Sequence, residues 1–416
     1  MNKFIIILVV VGFVIIGGVA WWFILPTRQA PLPAPTETAE PLFPTGGAVS
    51  PPASEATEPA PPAIPGQSLP VKQISKKAVA GMFVAGTTAT SSVIYLERAT
   101  GHVYVLPHDG SEAARLSQTT IPKIVTVVGG KTASSIKVLA QYLKDGRRQN
   151  FLANLRVAST TPGESFATNA SESPVGELSG SLLDANIEQV VFSPVQDKIF
   201  HLANSSSGAV GTIFDPITKS QIIIFSSPLN EWLIGWPATS TIALLAKPSA
   251  ETVGFLYLLD VKTKKSRLVV SGVNGLTTLV NKAGDKILLS GIANGQLAFG
   301  WYDLGRQAFS ALPVKTLTDK CVWGRDSAAV YCGVPTTLPA GPYPDHWYSG
   351  ETSFTDNLWK INILTGQAQI IFNPELSNLG EALDAYQLLL TNDETTLYFI
   401  NKYDSTLWSL DLRPVF

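Results

Sequence analysis

Side chains that carry chemistry are scarce in this sequence: two cysteines and four histidines in 416 residues. Two cysteines exclude a disulfide-dense scaffold and a four-cysteine zinc site. The histidines, His102, His108, His201 and His346, form no ligand motif. His102 and His108 share one strand face, but six residues at ~3.3 Å each hold them ~20 Å apart, too far for one metal ion. No G-x-S-x-G elbow, P-loop or EF-hand-like loop occurs. The expectation is a protein with no metal, no cofactor and no enzymatic activity, and an envelope enzyme built across distant segments ranks third among the functional readings. Charge is sparse as well. Only 15% of residues are charged, with 30 basic against 32 acidic, so the basic face that nucleic acid demands is missing.

Apolar residues, by contrast, make up 45% of the chain, enough for a large core. Residues 4–25 read FIIILVVVGFVIIGGVAWWFIL, 22 residues without a charge. That length spans a bilayer as a helix. Trp21 and Trp22 stand where an interfacial aromatic belt belongs. A cleaved signal peptide is the competing reading. It calls for an apolar region of roughly 7–15 residues and a small-x-small site, where this chain has Trp, Trp and Phe. Residues 1–25 are therefore expected to form an uncleaved, single-pass signal anchor. Between 29 and 70 there is no Lys or Arg, and four Glu, so the positive-inside rule leaves the N-terminus in the cytoplasm and the rest outside, in a host expected to be bacterial. Residues 26–70 hold 13 of the 29 prolines, mixed with Ala, Thr, Ser and Glu, and read as a disordered stalk.

Residues 71–416 repeat one phrase. An aromatic-bearing apolar strand ends in Asp or Asn, a turn follows, and a second apolar strand comes after it. The copies are VGTIFDPITKSQIIIF (210–225), FLYLLDVKTKKSRLVV (255–270), LAFGWYDLGRQAFSAL (297–312), NLWKINILTGQAQIIF (357–372) and TLWSLDLRPVF (406–416). Asp and Asn bond their own backbone two residues on and so nucleate tight hairpins. The anchors Asp215, Asp260, Asp303, Asn362 and Asp411 lie 45, 43, 59 and 49 residues apart. A period in the forties with four short strands per unit is the signature of propeller blades. Hairpins upstream (190–203, 279–291, 389–401) supply the inner strands, and less regular copies fit at 92–110 and 135–155. The fold class is all-β, a propeller of seven blades, with six or eight also compatible.

The turn FSPVQDKI (192–199) and the Leu-Tyr/Trp-x-x-Asp strands resemble the WD-repeat and TolB-like β-propellers. The Trp-Asp dipeptide and Gly-His signature of true WD repeats are absent, so the resemblance implies a fold and not a partner. The last phrase stops at Phe416 with no room for a fourth strand, yet a propeller must close its ring. The run LPVKQIS (69–75) is expected to supply that outer strand, the alternative being the frayed end of the stalk.

With strands A to D counted outward, the B–C and D–A connections share one face. The segments 336–354 (B–C of the sixth blade), 373–385 (D–A, read as one short helix) and 159–186 (read as largely D–A) would all enlarge it. Loops on a rigid scaffold commonly carry function. The first holds Tyr343, Asp345, His346, Trp347, Tyr348 and Phe354, and Trp and Tyr are enriched at binding hot spots. Two readings stay open: a partner or ligand site, or a lid whose aromatics cover the core. Cys321 and Cys332 are equidistant from a turn at 326–327 and would face each other on a hairpin, as a disulfide or as two packed thiols. Asn169 and Asn204 begin N-x-S/T sequons. The functional expectation is a protein-interaction scaffold in envelope assembly or surface recognition. The alternative is a glycan-binding module stacking sugars on Tyr343, Trp347 and Tyr348.

Overall fold

The computed structural model describes residues 70–413, apart from 86–91, 108–111, 132–135, 158–175, 196 and 378. The expected anchor and all but the last residue of the stalk lie outside the described residues. No described helix is long and apolar enough to cross a membrane.

Antiparallel strands form five sheets of four strands and one of seven. Four of the smaller sheets cover 79–115, 124–182, 187–227 and 321–372. The large sheet covers 232–311, and its strand Ser266–Val280 plays two parts. Residues 266–274 pair with Val253–Asp260, and residues 274–280 pair with Lys286–Ala293. Taken as the outer strand of one unit and the inner strand of the next, it divides the described chain into seven four-stranded units. First strands of neighbouring units pack together: Val79–Ala85 on Ile124–Lys131, that strand on Ile187–Phe192, Cys321–Trp323 on Ala385–Leu390, and Ala385–Leu390 back on Val79–Ala85. Such contacts set the first strands around one axis, and the chain has the β-propeller fold.

The turn chemistry is the one the sequence implies. Asp215 Oδ1 accepts the amides of Ile217 (2.8 Å) and Thr218 (3.1 Å), Asp303 Oδ1 those of Gly305 and Arg306 (2.9 Å each), and Asn362 Oδ1 those of Leu364 (2.9 Å) and Thr365 (3.1 Å). Apolar side chains between adjacent units form shared cores. One joins Phe83, Ile94 and Leu96 of the first unit to Val127, Val138 and Leu155 of the second, and another joins Phe200 and Phe225 to Trp232 and Trp236. The ring closes as expected. Val71–Gln73 is the outer strand of the last unit, with Val71 opposite Leu410 and Gln73 opposite Trp408. Ser75 Oγ then accepts the amide of Leu407 at 2.9 Å.

Two expectations about connections need correction. The strand Gly176–Leu182 pairs along its whole length with 151–157, so it is the fourth strand of the second unit. Residues 158–175, which fall between the third and fourth strands in sequence, lie outside the described set, and only 183–186 run D to A. The polar sequence GELSGSL conceals a strand that sits at a sheet edge. The segment 373–384 is turns and extended chain, without a helix among its described residues.

Candidate functional site

The hairpin of Cys321–Trp323 and Ala329–Pro335 sets Cys321 directly opposite Cys332, at a Cα separation of 4.1 Å, and a disulfide joins them. The strand that carries Cys332 feeds the connection 336–355, whose ends meet where the Thr336 amide donates to the Thr355 carbonyl at 2.8 Å. Inside it Asp345–Ser349 forms one helical turn, ended by Gly350 at φ 84°.

The six residues singled out in this connection fall into two sets. Tyr343, Trp347 and Phe354 are buried, at 2%, 3% and 1% exposure, and pack with Leu297 and Leu317. Tyr343 donates its hydroxyl to the Pro339 carbonyl at 2.6 Å. The indole of Trp347 lies 6.4 Å from the Phe354 ring, and its Nε1 donates to Asp384 at 3.0 Å. These three side chains seat the connection on the propeller. Gly275 permits the close approach. It sits at φ 63°, and a Cβ there would stand 2.3 Å from the Tyr343 carbonyl oxygen.

Beneath the aromatics is a charge cluster that sequence reasoning does not reveal. Lys320, Asp356 and Asp384 are all fully buried. Lys320 Nζ lies 2.7 Å from Asp356 Oδ2 and also bonds Asp384 Oδ1. The same ammonium is 5.2 Å from the centres of both the Trp347 and Phe354 rings, and Lys402 Nζ lies 5.1 Å from the centre of the Trp347 ring. Backbone amides complete the shell: Phe354 N donates to Asp384 (3.0 Å) and Ala385 N to Asp356 (2.7 Å). Burial raises the Asp356 pKa to about 6, with Asp384 adding to the rise and Lys320 opposing it. One sequence signal points toward the cluster. Asp356 and Asp384 stand at strand starts on the loop-rich end, where no Asp-x-x-Thr turn follows to account for them.

Asp345, His346 and Tyr348 form the outer set. Asp345 Oδ2 accepts the Ala250 amide at 2.6 Å, which ties the connection to the 247–252 loop of the fourth unit. His346 Nε2 is 3.3 Å from the Glu351 carboxylate, and its side chain is 35% exposed. Tyr348 is 37% exposed and donates its hydroxyl to both carboxylate oxygens of Asp319, at 3.2 and 3.1 Å.

Asp319 and Tyr348 border an axial cavity of about 570 Å³. Its wall comes from five units, through Gln189, 233–237, 277–280, Thr318 with Asp319, and Gln387. Protein crowds both acidic groups. Burial raises the Asp319 pKa although the Tyr348 hydroxyl bonds to it, and burial together with the Asp319 charge raises that of Tyr348.

Several solved structures share the fold. A chain described as oligogalacturonate lyase in complex with manganese matches with a TM-score of 0.52 at 11% identity, over 82% of this chain and 89% of that one. A chain of the mitotic checkpoint complex matches with a TM-score of 0.51 at 12% identity, over 90% of this chain and all of that one. The Cps50 (Swd1) β-propeller domain of Myceliophteria thermophila gives 0.48 at 8% identity, over 82% and 100%. No protein-family model and no curated protein matches the chain. The likeness concerns the fold alone, but it corrects one expectation. A propeller of this shape belongs to a lyase, so the lack of hydrolase, P-loop and zinc motifs is no ground for denying the chain an enzymatic activity. Those motifs belong to other folds, and chemistry is set by the site rather than by the scaffold.

Proposed function

We propose that the chain is a membrane-anchored propeller held outside the cytoplasm by residues 1–25 and a stalk over 26–70. Its loop-rich face would dock a protein partner in envelope assembly or surface recognition. The observation that carries this reading is the division of the 336–355 connection. Tyr343, Trp347 and Phe354 fix it from below, while Asp345, His346 and Tyr348 face outward. A surface held in this way loses little conformational entropy on binding, and loop ordering is one of the main costs of association. Tyr, exposed here at 348, is among the residue types enriched at interface hot spots. Glycan binding draws less support, because sugar stacking needs open ring faces, and two of the three rings it calls on are buried.

A photoreactive phenylalanine analogue at His346 or Tyr348, compared with one at the exposed Lys264 turn on the opposite face, tests the reading in intact cells. Adducts with one or two proteins are expected from 346 and 348 only. Equal adducts from 264, or none from either loop position, would refute docking through this face.

A further inference from the structure

The axial cavity has a use that docking on the rim does not require. Its volume of about 570 Å³ falls within the range of small-molecule sites. The polar lining is one-sided in charge. Asp319 is present, and no Lys, Arg or His lines the cavity among the described residues. Gln189, Thr278 and Gln387 also line it, and their side chains have no hydrogen-bond partner among the described residues. Lys320, next to Asp319 in sequence, directs its ammonium to Asp356 and Asp384 instead. Among the described residues the Asp319 carboxylate is therefore met by one neutral side-chain donor, the Tyr348 hydroxyl, and forms no ion pair, although the Lys320 charge lies near enough to favour its ionised form. A crowded carboxylate in that position favours a ligand that brings positive charge. Trp236 and Tyr348 add aromatic surface to the same wall, suited to an alkyl stem or to a cation against a ring. An anionic ligand would meet repulsion and find no basic partner.

We propose that this cavity binds an organic cation, an ammonium or guanidinium group paired with Asp319, carried by a free small amine or by a Lys or Arg side chain. Gln189, Thr278 and Gln387 supply further acceptors for its N–H groups, and Trp236 covers its stem. The groups near Asp319 are the Tyr348 hydroxyl, with Asp345 beyond it, and the Lys320 charge, which opposes the effect of burial on its pKa. Lys320 makes its ion pairs with Asp356 and Asp384, and His346 faces Glu351. Acidification thus weakens binding through Asp319, since burial moves its protonation upward from the ordinary carboxylate range.

Calorimetric titration of the full chain with agmatine, D-glucose and the peptide Gly-Gly-Arg-Gly-Gly tests this. Saturable binding of agmatine without binding of glucose is expected. Asp319→Asn should weaken agmatine binding by about tenfold or more, a factor of ten being ~1.4 kcal/mol. Binding of agmatine alone identifies a free small cation, and binding of the peptide as well identifies a side chain. The proposal is overturned if no saturable binding of agmatine or the peptide occurs, if glucose binds as well as agmatine, or if folded Asp319→Asn keeps the wild-type affinity. Should Asp319→Asn fail to fold, a pH series on the unaltered chain decides. Agmatine keeps its charge through mild acid, so affinity that does not fall on acidification overturns the proposal.

Discussion

Lys320→Met is the substitution that most directly probes how the connection is held. It keeps the length of the side chain and removes the one cation in contact with Asp356 and Asp384 among the described residues, both without solvent exposure. Breaking a buried pair by deleting one partner costs about 3–5 kcal/mol, because the remaining charge has neither water nor partner. Here the loss depends on pH. Asp356 has a folded pKa of about 6 against a reference value of 3.8. That difference corresponds to roughly 3 kcal/mol of unfavourable burial of the charged form. A carboxyl whose pKa is raised on folding contributes stability that is complete below 3.8 and lost as pH rises through about 6. In the variant the main influence lowering that pKa is gone, so it rises further. The full penalty of about 3–5 kcal/mol is expected near ~pH 8 and a smaller one near ~pH 5, where Asp356 takes up a proton. Urea unfolding followed by tryptophan fluorescence at both pH values measures it, and Lys320→Met with Asp356→Asn should recover part of the loss. A cost below ~1 kcal/mol at ~pH 8, or equal costs at the two pH values, would refute the reasoning.

Two further outcomes follow from the scaffold. Deleting 69–75 removes the outer strand of the last unit and leaves Leu407–Asp411 unpaired on one side, so the thermal transition should broaden and fall by several degrees. An unchanged transition would show that the ring does not depend on this closure. Replacing Cys321 and Cys332 by Ala opens a cross-link of sequence separation 11 and should lower stability by about 2–4 kcal/mol in denaturant unfolding, while far-UV dichroism keeps its β-sheet form.

The parts legible in the sequence are those whose chemistry is local. The Asp and Asn anchors at 215, 260, 303, 362 and 411 announce hairpins because each bonds its own turn, and their spacing announces the ring. The cysteine pairing is readable for the same reason, through distance from a single turn. What stays hidden depends on contacts between units. Lys320, Asp356 and Asp384 are far apart in the chain and meet only where the sixth unit packs on the seventh. Asp319, Gln189 and Gln387 line one cavity only because inner strands converge on an axis. Composition announces aromatic residues at 343–354 but not their direction. Gly176–Leu182 escapes a reading by hydrophobic pattern because an edge strand can be polar and still pair fully.

The closing strand also gives the propeller a direction. The chain enters at Pro70, whose carbonyl accepts the Asp411 amide at 3.1 Å, at the end of the ring that carries the Asp-anchored turns. The connection 336–355 emerges at the other end. The tether proposed above, running into Pro70, would hold the molecule by its back and turn the Tyr348 side outward, like a dish on a mast. Tension along that tether would fall first on the three residue pairs of Val71–Gln73 with the last unit, and the disulfide-braced sixth unit would stay outside the line of load.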